Sequence, residues 1–193
     1  MYKRQVLVDG LDVREYTFDA LYNKLGYVTQ KAVLFSGTVE DNVFFGQSAA
    51  EKTDASLQAA LSLSQAAEFV DKYPEKAAHP IAQLGRNVSG GQKQRLSIAR
   101  ALARTPEILI FDDSFSALDY KTDATLREGL AKELPGTTKI IVAQRISTIR
   151  HADKIIVLDR GEAVGIGTHE ELMRNCDVYR EIATSQLSAA ELA

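Results

Sequence analysis

The chain has 193 residues, 45% of them hydrophobic, which is enough for one sizeable domain and excludes disorder of the whole chain. Its net charge of -3 excludes binding of nucleic acid or an anionic membrane through an overall positive field. Cys176 is the only cysteine, which excludes an internal disulfide framework, and we interpret it as a buried or inert thiol.

Short β-branched runs alternate with longer helical segments along the chain, which predicts an α/β fold with a largely parallel sheet. The third predicted strand is apolar at every position and the fourth at every position after Lys139, as expected for strands buried on both faces. The predicted strands are 6–8, 25–28, 108–111, 139–143 and 154–158, and the predicted helices are 53–64, 91–104, 121–134, 169–175 and 178–188.

The strand pattern is missing between Lys31 and Arg104, which predicts a helical subdomain inserted between strands of the sheet. This divides the chain into three parts. Residues 1–30 are a first part of the sheet core, 31–104 are the helical subdomain, and 105–193 complete the core and add the C-terminal helices.

A serine and two glycines, Ser89, Gly90 and Gly91, stand at the start of one predicted helix. A helix start exposes unpaired N–H groups and the positive end of the helix dipole, and glycines let the backbone approach an anion closely. The segment is therefore suited to hold phosphate. Taken alone, the three residues also fit an ordinary serine-capped helix.

Two polar residues follow predicted strands. Asp112 ends an apolar strand, at the sheet edge where α/β proteins place ligands. Gln30 follows another strand, and the oxygens of both side chains suit hydrated Mg²⁺. In isolation, a helix N-cap for Asp112 and a solvated side chain for Gln30 are the alternatives.

The longer string around the two glycines resembles the signature motif of ABC ATPases, LSGGQ, with Val88 in place of the leucine. Other segments are similar to family motifs in the same order, and the resemblance covers nearly the whole chain. It implies a P-loop NTPase fold with a RecA-like core. The similar segments are 27–30 (Q-loop), 35–43 (the exporter segment after it), 108–112 (Walker B) and 116–119 (D-loop).

The resemblance implies that the cofactors are ATP and Mg²⁺, and that each ATP lies between Walker and switch residues of one subunit and the signature motif of another. The implied roles are metal binding through the nucleotide for Asp112 and Gln30, catalysis for Asp113 and Gln144, binding of the partner's ATP for Ser89, Gly90, Gly91 and Gln92, and a place between the two sites for the D-loop residue Asp119.

Two residues depart from the pattern of active family members. Asp113 stands where they carry a glutamate, and its side chain is shorter by one C–C bond, about 1.5 Å. Gln144 stands where they carry a histidine, and glutamine cannot exchange protons near neutral pH. A misplacement of roughly 1 Å can cost on the order of 10²-fold in rate. Together the departures predict a site that binds ATP and hydrolyses it slowly.

The phosphate-binding loop G-x-x-x-x-G-K-S/T does not occur in the sequence. We expect the chain to be a domain truncated after that loop, and the fragment alone to be inactive. The sequence also lacks a run of 18 apolar residues and a signal peptide, so we expect the fragment itself to be soluble.

The resulting hypothesis is the motor domain of an ABC exporter at the cytoplasmic face of the membrane. The expected partners are a second, different ATP-binding domain and membrane-spanning domains, and no nucleic acid. The alternatives are a soluble ABC ATPase acting on DNA or ribosomes, or an inactive fragment. We also predict an exposed His169 and a core role for five apolar residues near the C-terminus: Leu172, Met173, Tyr179, Ile182 and Leu187.

Overall fold

A computed structural model describes residues 4–47 and 52–187, and it confirms the α/β class. The chain forms two compact units, the first ending at Ile140 and the second beginning at Ile141. The described strands are β1 (Leu7–Val8), β2 (Leu11–Asp12), β3 (Leu25–Val28), β4 (Gly37–Thr38), β5 (Pro80–Ile81), β6 (Ile108–Asp112), β7 (Thr138–Val142), β8 (Ile155–Asp159) and β9 (Glu162–Gly167). The described helices are α1 (Phe18–Lys24), α2 (Val39–Val43), α3 (Asp54–Leu63), α4 (Ala67–Val70), α5 (Gly90–Leu102), α6 (Tyr120–Glu133), α7 (Ile146–Ile149), α8 (His169–Asn175) and α9 (Asp177–Gln186).

The first unit is organised around a sheet in which β3, β6 and the first residues of β7 follow in that order. β3 pairs with β6 in parallel, with Leu25 opposite Ile108 and Val28 opposite Phe111. The carboxyl ends of parallel strands meet at one edge of a sheet. The residues that follow Val28 and Phe111 therefore lie side by side.

Helix α5 packs against β3, α2 and α3. Its core-facing stripe contains buried apolar residues three or four positions apart: Leu96 and Ala99, and Ile98 and Leu102. Ser89 caps the helix: its side chain accepts a hydrogen bond from the Gln92 N–H. The helix therefore begins at the glycine pair that the sequence identified.

The second unit contains the antiparallel pair β8 and β9 with α7, α8 and α9. The turn between the strands uses Arg160 and Gly161, both with positive φ, as two-residue hairpin turns require. Leu172 and Tyr179 pack in its core together with Cys176, which confirms the predicted buried thiol. Leu187 is also buried, and Met173 packs against this core. The predicted core role of Ile182 is wrong: its side chain is 36% exposed, beside the buried stripe of Tyr179 and Ala183.

Four further sequence predictions need correction. The predicted helical stretch 31–104 also contains the antiparallel pair β4 and β5, which at two residues each are too short to show a period. Strand β9 was missed because its glycines interrupt the apolar alternation. His169 is half-buried, and its Nδ1 lies 2.8 Å from the Tyr179 hydroxyl. The predicted helix end at 188 lies outside the described residues.

The fourth correction concerns burial of the sheet. β6 alternates buried and half-buried positions, and Ile140 of β7 is 49% exposed, so neither strand is buried on both faces. The reason is that one face of the sheet carries Tyr27 and Ile110, which line an open cleft. Within the described ranges 4–47 and 52–187, no helix is both long and apolar enough to cross a membrane.

Gly26 supports a testable prediction about this sheet. A Cβ at this position would lie 2.7 Å from the Leu109 side chain and 3.1 Å from the Ala101 carbonyl oxygen. Gly26→Ala should therefore lower the free energy of unfolding by about 1–3 kcal/mol, because the well-packed strand has no room for a methyl group. Denaturant unfolding measures this change.

Gly136→Ala is the matched control, because a Cβ there meets no atom within 4 Å. It should leave stability unchanged or raise it slightly, since alanine restricts the unfolded chain. Equal unfolding midpoints for the two variants would contradict the packing argument.

Candidate functional site

The parallel pairing brings two predicted site residues together at the carboxyl edge of the sheet. Gln30 follows β3 and Asp113 follows β6, and the Gln30 Nε2 donates a hydrogen bond of 3.1 Å to the Asp113 Oδ2. Asp112, the last residue of β6, is the immediate neighbour of Asp113. Two of the predicted residues are thus in direct contact, and the third is next to them in the chain.

A buried serine holds the two strand ends together. Ser114 is 0% exposed, and its Oγ donates to the Val28 carbonyl at 2.9 Å; the Asp112 carbonyl lies at 3.3 Å. Buried hydroxyls are costly unless they are hydrogen-bonded, so this contact favours one arrangement of the strand ends. It fixes the backbone on both sides of the Gln30–Asp113 pair.

Asp113 has a left-handed backbone, with φ of 44°. Aspartate and asparagine tolerate this region better than other non-glycine residues. The Asp113 carbonyl also accepts a 2.8 Å hydrogen bond from the Ser116 hydroxyl. An aspartate is therefore favoured here by the local conformation.

Asp112 has a hydrogen-bond partner that the sequence did not indicate. The Tyr27 hydroxyl donates to its Oδ2 at 3.0 Å, although the Tyr27 side chain is 54% exposed. This hydrogen bond to a carboxylate, together with partial burial, raises the pKa of Tyr27. A cation at Asp112 would compete with the tyrosine hydroxyl for the same oxygen.

The donor set at this edge fits a hard, hydrated cation such as Mg²⁺. Asp112 and Gln30 supply carboxylate and amide oxygens, the ligands that Mg²⁺ takes when it is shared with nucleotide phosphates. The described part of the chain contains no group of three or more His, Cys, Asp or Glu side chains that could hold a metal by themselves. A metal here would thus need ligands from a nucleotide or from water.

The start of α5 presents the predicted signature residues. Ser89 and Gln92 form a reciprocal capping box, in which the Ser89 N–H donates to the Gln92 Oε1 at 2.8 Å. A Cβ on Gly90 would meet no atom within 4 Å, so the space beside this glycine is open. The helix start is exposed and carries the positive end of the dipole of a 13-residue helix.

The start of α5 approaches the chain segment that leads to Asp119. A Cβ on Gly91 would be 3.4 Å from the Ala117 carbonyl oxygen, two residues before Asp119. Asp119 caps α6: hydrogen bonds from the Thr122 N–H and hydroxyl lower its pKa, so it is ionised at neutral pH. The structure therefore gives Asp119 an N-cap role of its own.

Gln144 belongs to the second unit, just after β7. It is exposed, and its backbone carbonyl accepts a 2.9 Å hydrogen bond from the Gln186 side chain of α9. The same Gln186 accepts from the Ile146 N–H at 2.9 Å. These bonds fix the backbone on which the Gln144 side chain is carried.

A parallel sheet with carboxylate and amide side chains at its carboxyl edge, together with a glycine-rich helix start, is typical of nucleotide-binding α/β proteins. A family model described as "ABC transporter" matches residues 2–116, and the chain belongs to this family.

Relatives support the same assignment. An uncharacterized ABC transporter ATP-binding protein of Mycobacterium tuberculosis is 46% identical over 186 residues, covering 96% of this chain and 32% of the relative. A Bacillus subtilis protein named "Putative multidrug export ATP-binding/permease protein" is 40% identical over 185 residues, with 94% and 31% covered. The chain therefore spans about a third of the length of these relatives.

A solved structure, that of a bacterial Atm1-family ABC exporter with ATP bound, matches with a TM-score of 0.88 and 34% identity. The match covers 94% of this chain and 32% of that one. The α/β fold with its parallel sheet is thus the fold of an ABC ATPase.

Ser114 gives a testable prediction for the site. Ser114→Ala removes the buried hydrogen bond to Val28 and should lower the free energy of unfolding by about 1 kcal/mol. Ser116→Ala is the matched control, since it removes a hydroxyl that also bonds a backbone carbonyl but is exposed to water. Urea unfolding should give the larger loss for Ser114→Ala, and the reverse order would show that Ser114 does not hold the strand ends.

Proposed function

We propose that this chain is part of the ATP-driven motor of an ABC exporter. In the intact complex, its strand-end residues contribute to one ATP site, and its signature residues complete a second ATP site on a partner subunit. The observation that carries the proposal is the Gln30–Asp113 pair beside Asp112, in a chain that also exposes the start of α5. The exporters among its relatives favour the direction of transport.

In the chain's own site, each of the strand-end residues has a separate role. Asp112 and Gln30 would hold the magnesium of the nucleotide. Asp113 would face the water that attacks the γ-phosphate. Gln144 would contact that phosphate. Bound Mg²⁺ supplies positive charge that offsets the charge developing on the phosphate oxygens. The hydrogen bond from Gln30 sets the orientation of the Asp113 carboxylate.

The partner's ATP is held by Ser89, Gly90, Gly91 and Gln92. The open space beside Gly90 admits a phosphate close to the backbone, and the helix dipole favours the negative charge. Residues 31–104 form the helical subdomain that carries these residues, between core parts 1–30 and 105–193. Asp119 lies between the two sites.

Hydrolysis at the chain's own site is slow in this proposal, and the partner is a different subunit with a competent site. The shorter Asp113 side chain and the uncharged Gln144 both weaken activation of water. The left-handed backbone of Asp113 supports this reading, because it suits aspartate better than glutamate. The intact transporter would lie in the membrane with this domain at the cytoplasmic face.

Reversion of both residues tests the slow site. In the intact complex, Asp113→Glu with Gln144→His should raise hydrolysis at this nucleotide by up to about 10²-fold. ATP labelled in the α- or γ-phosphate and cross-linked to each subunit separately measures how much ATP remains intact at each site. Removal of Mg²⁺ should stop hydrolysis at both sites.

Asp159→Glu is the control, since it makes the same chemical change at an exposed strand end in the second unit. Unchanged hydrolysis in the reverted complex, with normal ATP binding, would contradict the account of the slow site. Absence of ATP binding to the unsubstituted complex would favour an inactive remnant instead.

The membrane-spanning partner would dock in a cleft of about 830 Å³ in the first unit. Phe45 lines this cleft and stacks on Phe35 at 4.3 Å between ring centroids, and the Arg100 guanidinium lies over both rings. Exposed aromatic residues and arginine are the residue types that anchor interfaces. The cleft is lined by Asp19, Tyr22, Asn23, Leu25, Gly26, Tyr27, Phe45, Gly46, Arg100, Ala101, Arg104 and Ile110.

Phe45→Ala tests the docking cleft. Loss of an aromatic anchor should weaken the contact with the membrane domain by about 2 kcal/mol, so transport falls while ATP still binds. Cross-linking of ATP and uptake into inverted vesicles measure the two activities. Ile182→Ala removes apolar surface from the second unit and should change neither; equal transport by both variants would argue against docking at this cleft.

A further inference from the structure

Gln94 is a buried polar residue that the proposed chemistry does not use. It lies in α5, is 1% exposed, and its Nε2 donates a 3.2 Å hydrogen bond to the carbonyl of Thr29. Thr29 immediately precedes Gln30, whose amide donates to Asp113. One hydrogen bond thus joins the helix of the signature residues to the loop of the metal-binding glutamine.

A second contact of the same helix holds the far side of that loop. The Arg100 Nη1 donates to the Val33 carbonyl at 3.0 Å, and its Nε donates to the Asn42 carbonyl at 2.7 Å. Gln94 and Arg100 are about 9 Å apart along α5, at 1.5 Å per residue. The loop from Thr29 to Val33 is therefore clamped by α5 at both ends.

The three residues at the end of β3 are each held by a different side chain. Ser114 bonds the carbonyl of Val28, and Gln94 bonds the carbonyl of Thr29. With the backbone before it held in this way, Gln30 can move only by rotation of its side chain, which bonds Asp113. Of these three contacts, only that of Gln94 comes from α5, the helix that Ser89 caps.

Resting on the function proposed above, we propose that Gln94 is a positioning residue that couples the two ATP sites through this chain. Ser89 to Gln92 meets the partner's ATP, and Gln94 lies about 7.5 Å from Ser89 along the same rigid helix. A shift of α5 toward that ATP moves the Thr29 carbonyl and with it Gln30. Occupancy of the partner's site thereby sets the geometry of Gln30 and Asp113 in this chain's own site.

Gln94→Met tests the coupling, because methionine keeps the size of the side chain and loses the donor. In the intact complex, a photoreactive ATP analogue is titrated and its cross-linking to each subunit is fitted to two coupled sites. The variant should reduce the coupling factor roughly 2- to 12-fold, the range that one hydrogen bond supplies. The intrinsic affinity of each site and the melting temperature should stay close to those of the unsubstituted complex.

Two controls separate positioning from a structural role. Ser97→Ala removes another buried polar group from α5 and should leave the coupling factor unchanged. Gln30→Ala should reduce the coupling factor by itself, and adding Gln94→Met to it should cause no further loss if Gln94 acts through Gln30.

Each result of these titrations either supports or overturns the coupling role of Gln94. Full coupling in Gln94→Met, additive losses in the double variant, or independent sites in the unsubstituted complex would each overturn the role of Gln94 while the proposed function stands. Failure of the unsubstituted complex to bind the analogue at either subunit would overturn both. A loss of coupling confined to Gln94→Met and Gln30→Ala would support the role.

Discussion

The hydrogen bond from the buried Ser114 hydroxyl to the Val28 carbonyl joins the two strand ends on which the candidate site depends. Parallel pairing of β3 with β6 sets the coarse register, and Ser114 then fixes the backbone where the register ends. Gln30 and Asp113 extend from that fixed backbone and meet each other. Because the site is built at a sheet edge, its geometry follows from the packing of the core beneath it.

Helix α5 serves the fold and the proposed chemistry together. Its buried stripe forms part of the core of the first unit, and its capped start is open to solvent at Gly90. Two of its polar side chains, Gln94 and Arg100, also bind the backbone of the loop after β3. A rigid helix with an open start and with contacts to this loop is suited to transmit a displacement of its start to the loop.

The sequence allowed prediction of the fold class, of five strands and five helices within a residue or two, and of the cluster at the sheet edge. Its periodicity could not reveal β4 and β5, which are two residues long, or the half-burial of His169, which depends on Tyr179. The side-chain partners Tyr27 and Ser114 were also missed. Both contacts join residues 85 or 86 apart in sequence, and no local pattern records such distances.

The left-handed backbone of Asp113 has a consequence for substitution at this position. A mutation to glutamate changes one side chain, but the new residue inherits a conformation that only aspartate, asparagine and glycine adopt at low cost. The cost of about 1–2 kcal/mol falls on the free energy of unfolding, so a longer carboxylate at this position would gain reach and lose stability.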